Sequence, residues 1–230
     1  MNFKKRVFFD IDDIIYYMSK ENEKTIEVYE KFGDKYLERN RNAVKNDIQA
    51  KKDSMRQKEL FKTYTKGLPK DAKIFEIGSA GGRDAKYLQS LGFKNIVVSD
   101  VANYFLNKLK DEGFSPIKFD LINDEFDNKY DFILCWAVLV HFTKDEAKNS
   151  IKKIHKALNG SGRVALCVKH KEGHEEEWAD YQGQIGAKRY FSYWNKDELE
   201  DCMKETGFKN IEIRQHGGAR ACWLECYAEK

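Results

Sequence analysis

From residue 73 to the C-terminus, short apolar runs rich in β-branched residues alternate with segments of helical period. This alternation limits the fold more than any other feature of the chain. KIFEIG (73–78) ends at a glycine, and RDAKYLQSLG (83–92) places Ala85, Leu88 and Leu91 on one stripe before stopping at Gly92. NIVVSD (95–100) follows, then a helix through YFLNKLKDEG (104–113), then the strands PIKFD (116–120) and YDFILCWAV (130–138). DEAKNSIKKIHKALNG (145–160) reads as a helix and RVALCVK (163–169) as the next strand. Strands that are apolar along nearly their whole length are buried on both faces, which is the signature of a parallel sheet with helices on both sides. The C-terminal part differs. YWNKDELEDCMKETGF opens with a capping box at Asn195 and Glu198 and stops at Gly207. NIEIRQ and ACWLECYAE then flank HGGAR as an antiparallel hairpin. The expected architecture is α/β: a seven-stranded, mostly parallel sheet with an antiparallel last strand.

The first 70 residues stand outside this alternation. Their sparse apolar positions, among them Val28, Tyr29, Phe32, Tyr36, Val44 and Ile48, suggest helices. The expected organisation is a helical cap or lid over residues 1–70 and one domain over 71–230. The only prolines, Pro69 and Pro116, mark no linker, and a chain of 230 residues suffices for one well-filled domain with such a cap. VFFDIDD (7–13) resembles the start of haloacid-dehalogenase-type phosphatases, but Ile14 stands where their threonine belongs and too few residues precede residue 73 to house that fold. No apolar run approaches the ~20 residues of a membrane helix. The early basic residues are followed by Asp10, Asp12 and Asp13, unlike a secretory leader, so the expectation is a cytoplasmic protein with no membrane partner. Cys135, Cys167, Cys202, Cys222 and Cys226 form no CxxC and read as reduced structural thiols.

The loop after the first strand of the alternation, FEIGSAGGRDA (75–85), opens with an acid and contains no lysine. A P-loop requires GxxxxGK followed by Ser or Thr, which is missing. A dinucleotide fingerprint requires GxGxxG. Counted from Gly78, its third position is Ala80 and its sixth is Arg83, whose side chain disturbs close helix–strand packing. The pattern present is acid-x-Gly-x-small-x-Gly, namely Glu76, Gly78, Ala80 and Gly82.

This pattern resembles motif I of the class I S-adenosylmethionine-dependent methyltransferases of the small-molecule type, and the resemblance covers roughly residues 70 to 230. It implies a Rossmann-like fold and S-adenosylmethionine as cofactor, with S-adenosylhomocysteine as product. That cofactor carries a sulfonium, an ammonium and a carboxylate but no phosphate, which suits an acid at the strand end. By the same resemblance the loop residues Glu76, Gly78, Ser79, Ala80 and Gly82 border the cofactor. Asp100, with Val101, faces the ribose hydroxyls, and Asp120, with Leu121, faces the adenine amino group. Cys135 and Trp136 border the methionine end. Asp100 also reads as an ordinary helix cap, and Trp136 as core filler. VYEKFGDKYLERN is similar to the segments that fold over the cofactor in many such enzymes, making Tyr36 and Arg39 candidate cofactor contacts.

The implied activity is in-line methyl transfer to O or N of a small-molecule acceptor. His141, after the fourth strand, is the candidate general base, with packing beneath the cofactor as its other reading. His170 and His174 stand four apart near acids, but Gly173 between them argues against a helical metal site, and no metal is expected. The acidic stretch Glu175, Glu176 and Glu177 reads as a mobile substrate loop suited to a cationic or polyhydroxylated acceptor. Between Lys35 and Lys70, eleven Lys or Arg face four acids. That basic segment keeps an RNA (tRNA) methyltransferase open as the alternative, although its aromatics Tyr36, Phe61 and Tyr64 form no evident stacking cluster. A non-catalytic regulator of the same fold, bound to a partner protein, is the third reading. A monomer or homodimer fits any of them.

Overall fold

A computed structural model describes residues 6–9, 15–180, 185–217 and 221–230. Residues 10–14, which include the DIDD of the VFFDIDD stretch, and residues 218–220 of HGGAR lie outside them. The chain begins with two short antiparallel strands, β1 (Arg6–Phe9) and β2 (Ile15–Met18), where only helices were expected. Helices α1 (Lys20–Asn46) and α2 (Ile48–Tyr64) follow. Then come β3 (Lys73–Ile77), α3 (Arg83–Ser90), β4 (Asn95–Asp100), α4 (Asn103–Asp111), the short β5 (Ile117–Lys118) and β6 (Tyr130–Trp136). A 3₁₀ turn (Leu139–His141), α5 (Lys144–Ala157) and β7 (Leu158–His170) continue the alternation. A second unexpected pair, β8 (Glu176–Ala179) and β9 (Arg189–Ser192), is antiparallel and stands apart from the main sheet. All four residues of β9 are buried, so no alternation of polar and apolar positions announced it. The chain closes with α6 (Lys196–Thr206), β10 (Lys209–Gly217) and β11 (Cys222–Glu229).

The main sheet has seven strands in the order β10-β11-β7-β6-β3-β4-β5. The pairs β7–β6, β6–β3, β3–β4 and β4–β5 are parallel, and β11 runs antiparallel to both of its neighbours. The chain starts the parallel part at β3, builds outward through β4 and β5, and returns to the other side with β6. The crevice between β3 and β6 is therefore the topological switch point, where open α/β sheets bind ligands at their carboxyl ends.

Strand alternation sends successive side chains to opposite layers. Phe75, Ile133, Val164 and Leu166 face a core completed by Ile151 and Ile154 of α5 and Leu199 and Met203 of α6. Ile74, Phe132, Leu134 and Ala165 face the other layer, completed by Leu88 of α3 and by Leu60, Phe61 and Tyr64 of α2. Helix α2, within the segment expected as cap, thus packs directly on the sheet.

Helix α1 crosses the switch-point end of the sheet and is tied on two sides. The Glu30 carboxylate caps α4, accepting from the N–H of Asn103 at 2.6 Å and of Tyr104 at 2.9 Å. Gly33 allows the close approach: a Cβ there would lie 2.2 Å from the Tyr104 ring. On the other side, the Thr25 hydroxyl accepts from Tyr190 N–H at 3.1 Å, and Ser19 donates through N–H and hydroxyl to Glu146 on α5.

Candidate active site

The site grows from the loop that leaves β3. Gly78 has φ +68°, and a Cβ there would sit 2.5 Å from Val138 Cγ2. The loop is fastened to β4 by its own backbone: Ser79 N–H donates to Ser99 O at 2.8 Å, and the Ser99 hydroxyl donates to Glu76 O at 2.8 Å. Ala80 follows in the left-handed region at φ +46°, where an alanine pays about 1–2 kcal/mol relative to the right-handed basin. Its N–H donates to Asp100 Oδ2 at 3.0 Å, while Asp100 Oδ1 accepts from Ala102 N–H at 3.0 Å. Asp100 thus ties the glycine loop to the turn before α4 and lines the crevice beside it.

That crevice is a cavity of about 110 Å³ at the carboxyl ends of β3, β4 and β6. Among the expected residues, Gly78, Ala80, Asp100 and Val101 line one part of it, and Asp120 and Leu121 another. Tyr36, Trp136 and His141 complete the set. Five expected residues lie elsewhere. Cys135 points into the buried α5–α6 layer, because strand alternation turns it away when Trp136 faces the cavity. Ser79 and Gly82 shape the loop from behind rather than lining the cavity. Glu76 is buried one layer back, and its Oε2 has no hydrogen-bond partner. Burial first, and then the neighbouring Asp84, hold the Glu76 carboxyl well above the ordinary carboxylate range. A cationic or hydrogen-donating ligand group in front of the loop would relieve it. Arg39 lines the second cavity instead of this one.

The second cavity, of about 260 Å³, adjoins the first, and Tyr29, Tyr36, Trp136, Ala137 and His141 line both. Ala137 is left-handed at φ +60°, a strained non-glycine residue at the junction. His141 does not stand free there. A backbone carbonyl can only accept, so the 2.8 Å contact with Tyr190 O places the ring proton on Nδ1. Nε2 then accepts from the Tyr29 hydroxyl at 2.9 Å, whose oxygen accepts from Arg189 Nη1 at 2.8 Å. Burial, and then the Arg189 charge, lower the His141 imidazole to about 3, so it is neutral in all ordinary buffers. Burial also raises the Tyr29 phenol to about 12 against the lowering effect of Arg189.

Tyr29, Ala137, Lys169 and Arg189 are the site residues that sequence reasoning missed. Lys169 had a readable signal, a lysine at the carboxyl end of a buried strand. Arg189 had none, because β9 itself was not legible. Lys169 is buried beside Arg189, and its ammonium is lowered to about 7, by burial first. In the acidic stretch after β7, two of the three carboxylates are engaged. The Tyr190 hydroxyl donates to Glu176 at 2.6 Å, and Glu177 is engaged by Lys171 and the Tyr193 hydroxyl. His170 and His174 each contact a backbone carbonyl, of Trp194 and Glu172. Among the described residues no group of three or more His, Cys, Asp or Glu is arranged to hold a metal ion. No helix among them is long and apolar enough to cross a membrane.

Comparisons with known proteins bear on the family and the fold. A family model described as a methyltransferase domain matches residues 47–213. No curated protein sequence matches. Among solved structures, a complex of DhpI with SAM and HEP superposes with a TM-score of 0.70 at 14% identity, covering 93% of this chain and 100% of that one. Magnesium protoporphyrin IX methyltransferase from Synechocystis PCC 6803, with bound SAM, gives 0.66 at 14% identity over 93% and 98% of the two chains. The 1,6-didemethyltoxoflavin-N1-methyltransferase of Burkholderia thailandensis gives 0.64 at 16% identity over 97% of each. At such identities the likeness is one of fold: a Rossmann-like seven-stranded sheet with the same overall extent, N-terminal helices included.

Proposed function

This chain belongs to the methyltransferase-domain family, and from that premise we propose that it transfers the methyl group of S-adenosylmethionine to an oxygen or nitrogen of a small molecule, releasing S-adenosylhomocysteine. The observation that carries the reading is the pair of adjoining cavities that share Tyr29, Tyr36, Trp136, Ala137 and His141 at the switch point. One suits the cofactor and the other the acceptor, so the methyl passes across that shared boundary.

The residues present suit the cofactor. Asp100 accepts ribose hydroxyls beside its two backbone N–H groups, and Val101, Leu121 and Val138 offer a flat apolar slot beside Asp120 for the adenine. The orphaned Glu76 Oε2 behind the glycine loop suits a ligand with cationic groups. When bound, S-adenosylmethionine supplies a methyl carbon already activated by its sulfonium. The protein's tasks are then to align the acceptor atom ~3 Å from that carbon and to exclude water. Helix α1 serves the second task by roofing the cofactor cavity with Thr25, Ile26 and Tyr29. The segment before residue 71 thus acts as a cap in its α1 part, while α2 belongs to the sheet core. His141 acts in this proposal as a positioning residue: its Nε2 is occupied by Tyr29, and it holds the Tyr29 hydroxyl at the junction.

The RNA alternative gains little. Of the aromatics in the basic segment, Phe61 and Tyr64 are buried against the sheet and Tyr36 lines the cavities, so none forms an exposed stacking face.

A thermal-shift comparison of S-adenosylhomocysteine, NADH and ATP tests the reading. At a hundredfold excess over Kd a true ligand adds about 2.7 kcal/mol, or several degrees for a chain of this size. A shift with S-adenosylhomocysteine alone is expected. A larger shift with NADH would overturn the proposal.

A further inference from the structure

The larger cavity carries a charge imbalance that methyl transfer by itself does not require. Its lining holds five cationic side chains, Arg39, Arg56, Arg83, Lys169 and Arg189, against two carboxylates, Asp53 and Glu225. Both carboxylates are engaged. Glu225 receives the Arg56 guanidinium on its two oxygens, and Asp53 meets His216 Nε2 at 3.0 Å. Arg83 is balanced by the adjacent Asp84, at 2.7 and 2.9 Å. Arg39, Lys169 and Arg189 are the other cations of that described lining.

Two of these cations are deeply buried, Lys169 at 5% and Arg189 at 4% exposure. Arg189 gives Nη1 to the Tyr29 hydroxyl, and its Nε is buried with no hydrogen-bond partner. Outside the lining, Glu177 tempers the charge of Lys169 and Asp180 that of Arg189. Those carboxylates also serve other donors: Glu177 accepts from Lys171 and the Tyr193 hydroxyl, and Asp180 from the N–H groups of Ile185 and Gly186. Neighbouring buried cations repel each other and lose hydration, and an orphaned guanidinium N–H adds to the cost. An oxyanion relieves all three effects at once, and a guanidinium beside an ammonium is well suited to hold one. The rest of the recess is aromatic. Lys169 Nζ lies 3.7 Å from the Phe191 ring centre and 5.7 Å from that of Trp223, and Arg189 Cζ lies 5.2 Å from that of Phe191.

We propose that the methyl acceptor is an acid, whose carboxylate or phosphoryl-type oxyanion is held by Arg189 together with Lys169 and Arg39 while a flat body lies along Phe191 and Trp223. The word acceptor rests on the methyl-transfer reading; the oxyanion subsite is a property of the cavity alone.

Calorimetric titration of the full chain, saturated with S-adenosylhomocysteine, tests this with four probes of one shape: benzoate, phenylphosphonate, benzamide and benzylamine. At least one of the two anions is expected to bind, and the neutral and cationic probes to bind roughly tenfold or more weakly. Preference for benzoate assigns a carboxylate source, and preference for phenylphosphonate a phosphoryl one. Arg189→Gln should abolish anion binding while S-adenosylhomocysteine still binds. Should that variant fail to fold, Arg39→Gln, on the outer helix α1, should weaken anion binding in the same way. Absence of anion binding at millimolar concentration overturns the proposal, as does equal binding of benzamide or benzylamine. Anion binding that survives the folded variants overturns it too. If S-adenosylhomocysteine itself does not bind, the methyltransferase reading falls, and the same titration run without it still decides the oxyanion subsite.

Discussion

Tyr29 and His141, 112 residues apart in the chain, share a hydrogen bond of 2.9 Å at the boundary between the two cavities. Each also has a second partner, Arg189 for the phenol oxygen and Tyr190 O for the imidazole. Helix α1, the turn after β6 and strand β9 are thereby joined through one buried polar chain.

Tyr29→Phe leaves Arg189 Nη1 and His141 Nε2 without their partner. A buried polar group so abandoned costs about 1–3 kcal/mol, and the melting temperature should fall by ~2–4 °C for each kcal/mol. The loss should not add to that of His141→Ala, because both changes break the same bond. A strictly additive double-mutant cycle in thermal unfolding would show that the two residues are not coupled.

His141 is lowered to about 3, so it contributes no ionisation to kcat/KM between pH 5 and 8. A titrating limb near the ordinary histidine value that disappears in His141→Ala would mean that the imidazole is charged in the working enzyme and serves as the base after all.

Asp100 titrates in a useful range. Burial raises its carboxyl to about 6, against the lowering effect of N–H bonds from Ala102 and Ala80. Ribose hydroxyls need the ionised form, so affinity for S-adenosylhomocysteine should be full above about pH 7 and decline as the pH falls through about 6. The ligand-free protein has the opposite sign. Its folded pKa lies above the unfolded value, so this group costs stability as the pH rises from about 4 to about 6. Asp100→Asn should weaken binding and flatten the curve; titrations from pH 5 to 8 that superimpose for both proteins would remove Asp100 from the ligand.

Gly78→Ala places a methyl 2.5 Å from Val138 Cγ2 at a residue with φ +68°. The left-handed backbone alone costs about 1–2 kcal/mol, and Val138 must move within the wall of the cofactor cavity. Binding of S-adenosylhomocysteine should fall about tenfold or more, with the circular dichroism spectrum unchanged. Ala80→Gly is the contrast: it relaxes the residue at φ +46° and should bind as the unaltered chain does.

Glu30→Ala removes the cap that α1 provides for α4, at about 1 kcal/mol. The helix remains held by Thr25 and Ser19, so the expected kinetic effect is a raised KM for S-adenosylmethionine with kcat nearly kept. A drop in kcat with unchanged KM would place α1 in the chemistry rather than in the roof.

Much of this architecture is written locally. Strand and helix periods, the Glu76–Gly82 loop and the acids ending β4 and preceding the turn after β5 are short-range patterns, and they were enough to indicate the parallel sheet and its antiparallel closure, with nine of the expected residues lining one cavity. Cys135 was misplaced because a resemblance aligns positions without saying which face of β6 each one takes. Strands β8 and β9 were invisible because a fully buried four-residue strand has no polar alternation, and β8, with exposed acids, reads as loop.

By itself, then, the sequence determined the sheet, the glycine loop and the carboxylates beside it, because each depends on neighbours a few residues away. Only the tertiary structure decided which charges line the second cavity. Arg39 comes from α1, Lys169 from the end of β7 and Arg189 from β9, while Glu176 and Glu177 accept from Tyr190, Lys171 and Tyr193. The electrostatic character of that cavity is a sum over distance in space, which the order of charges along the chain does not supply.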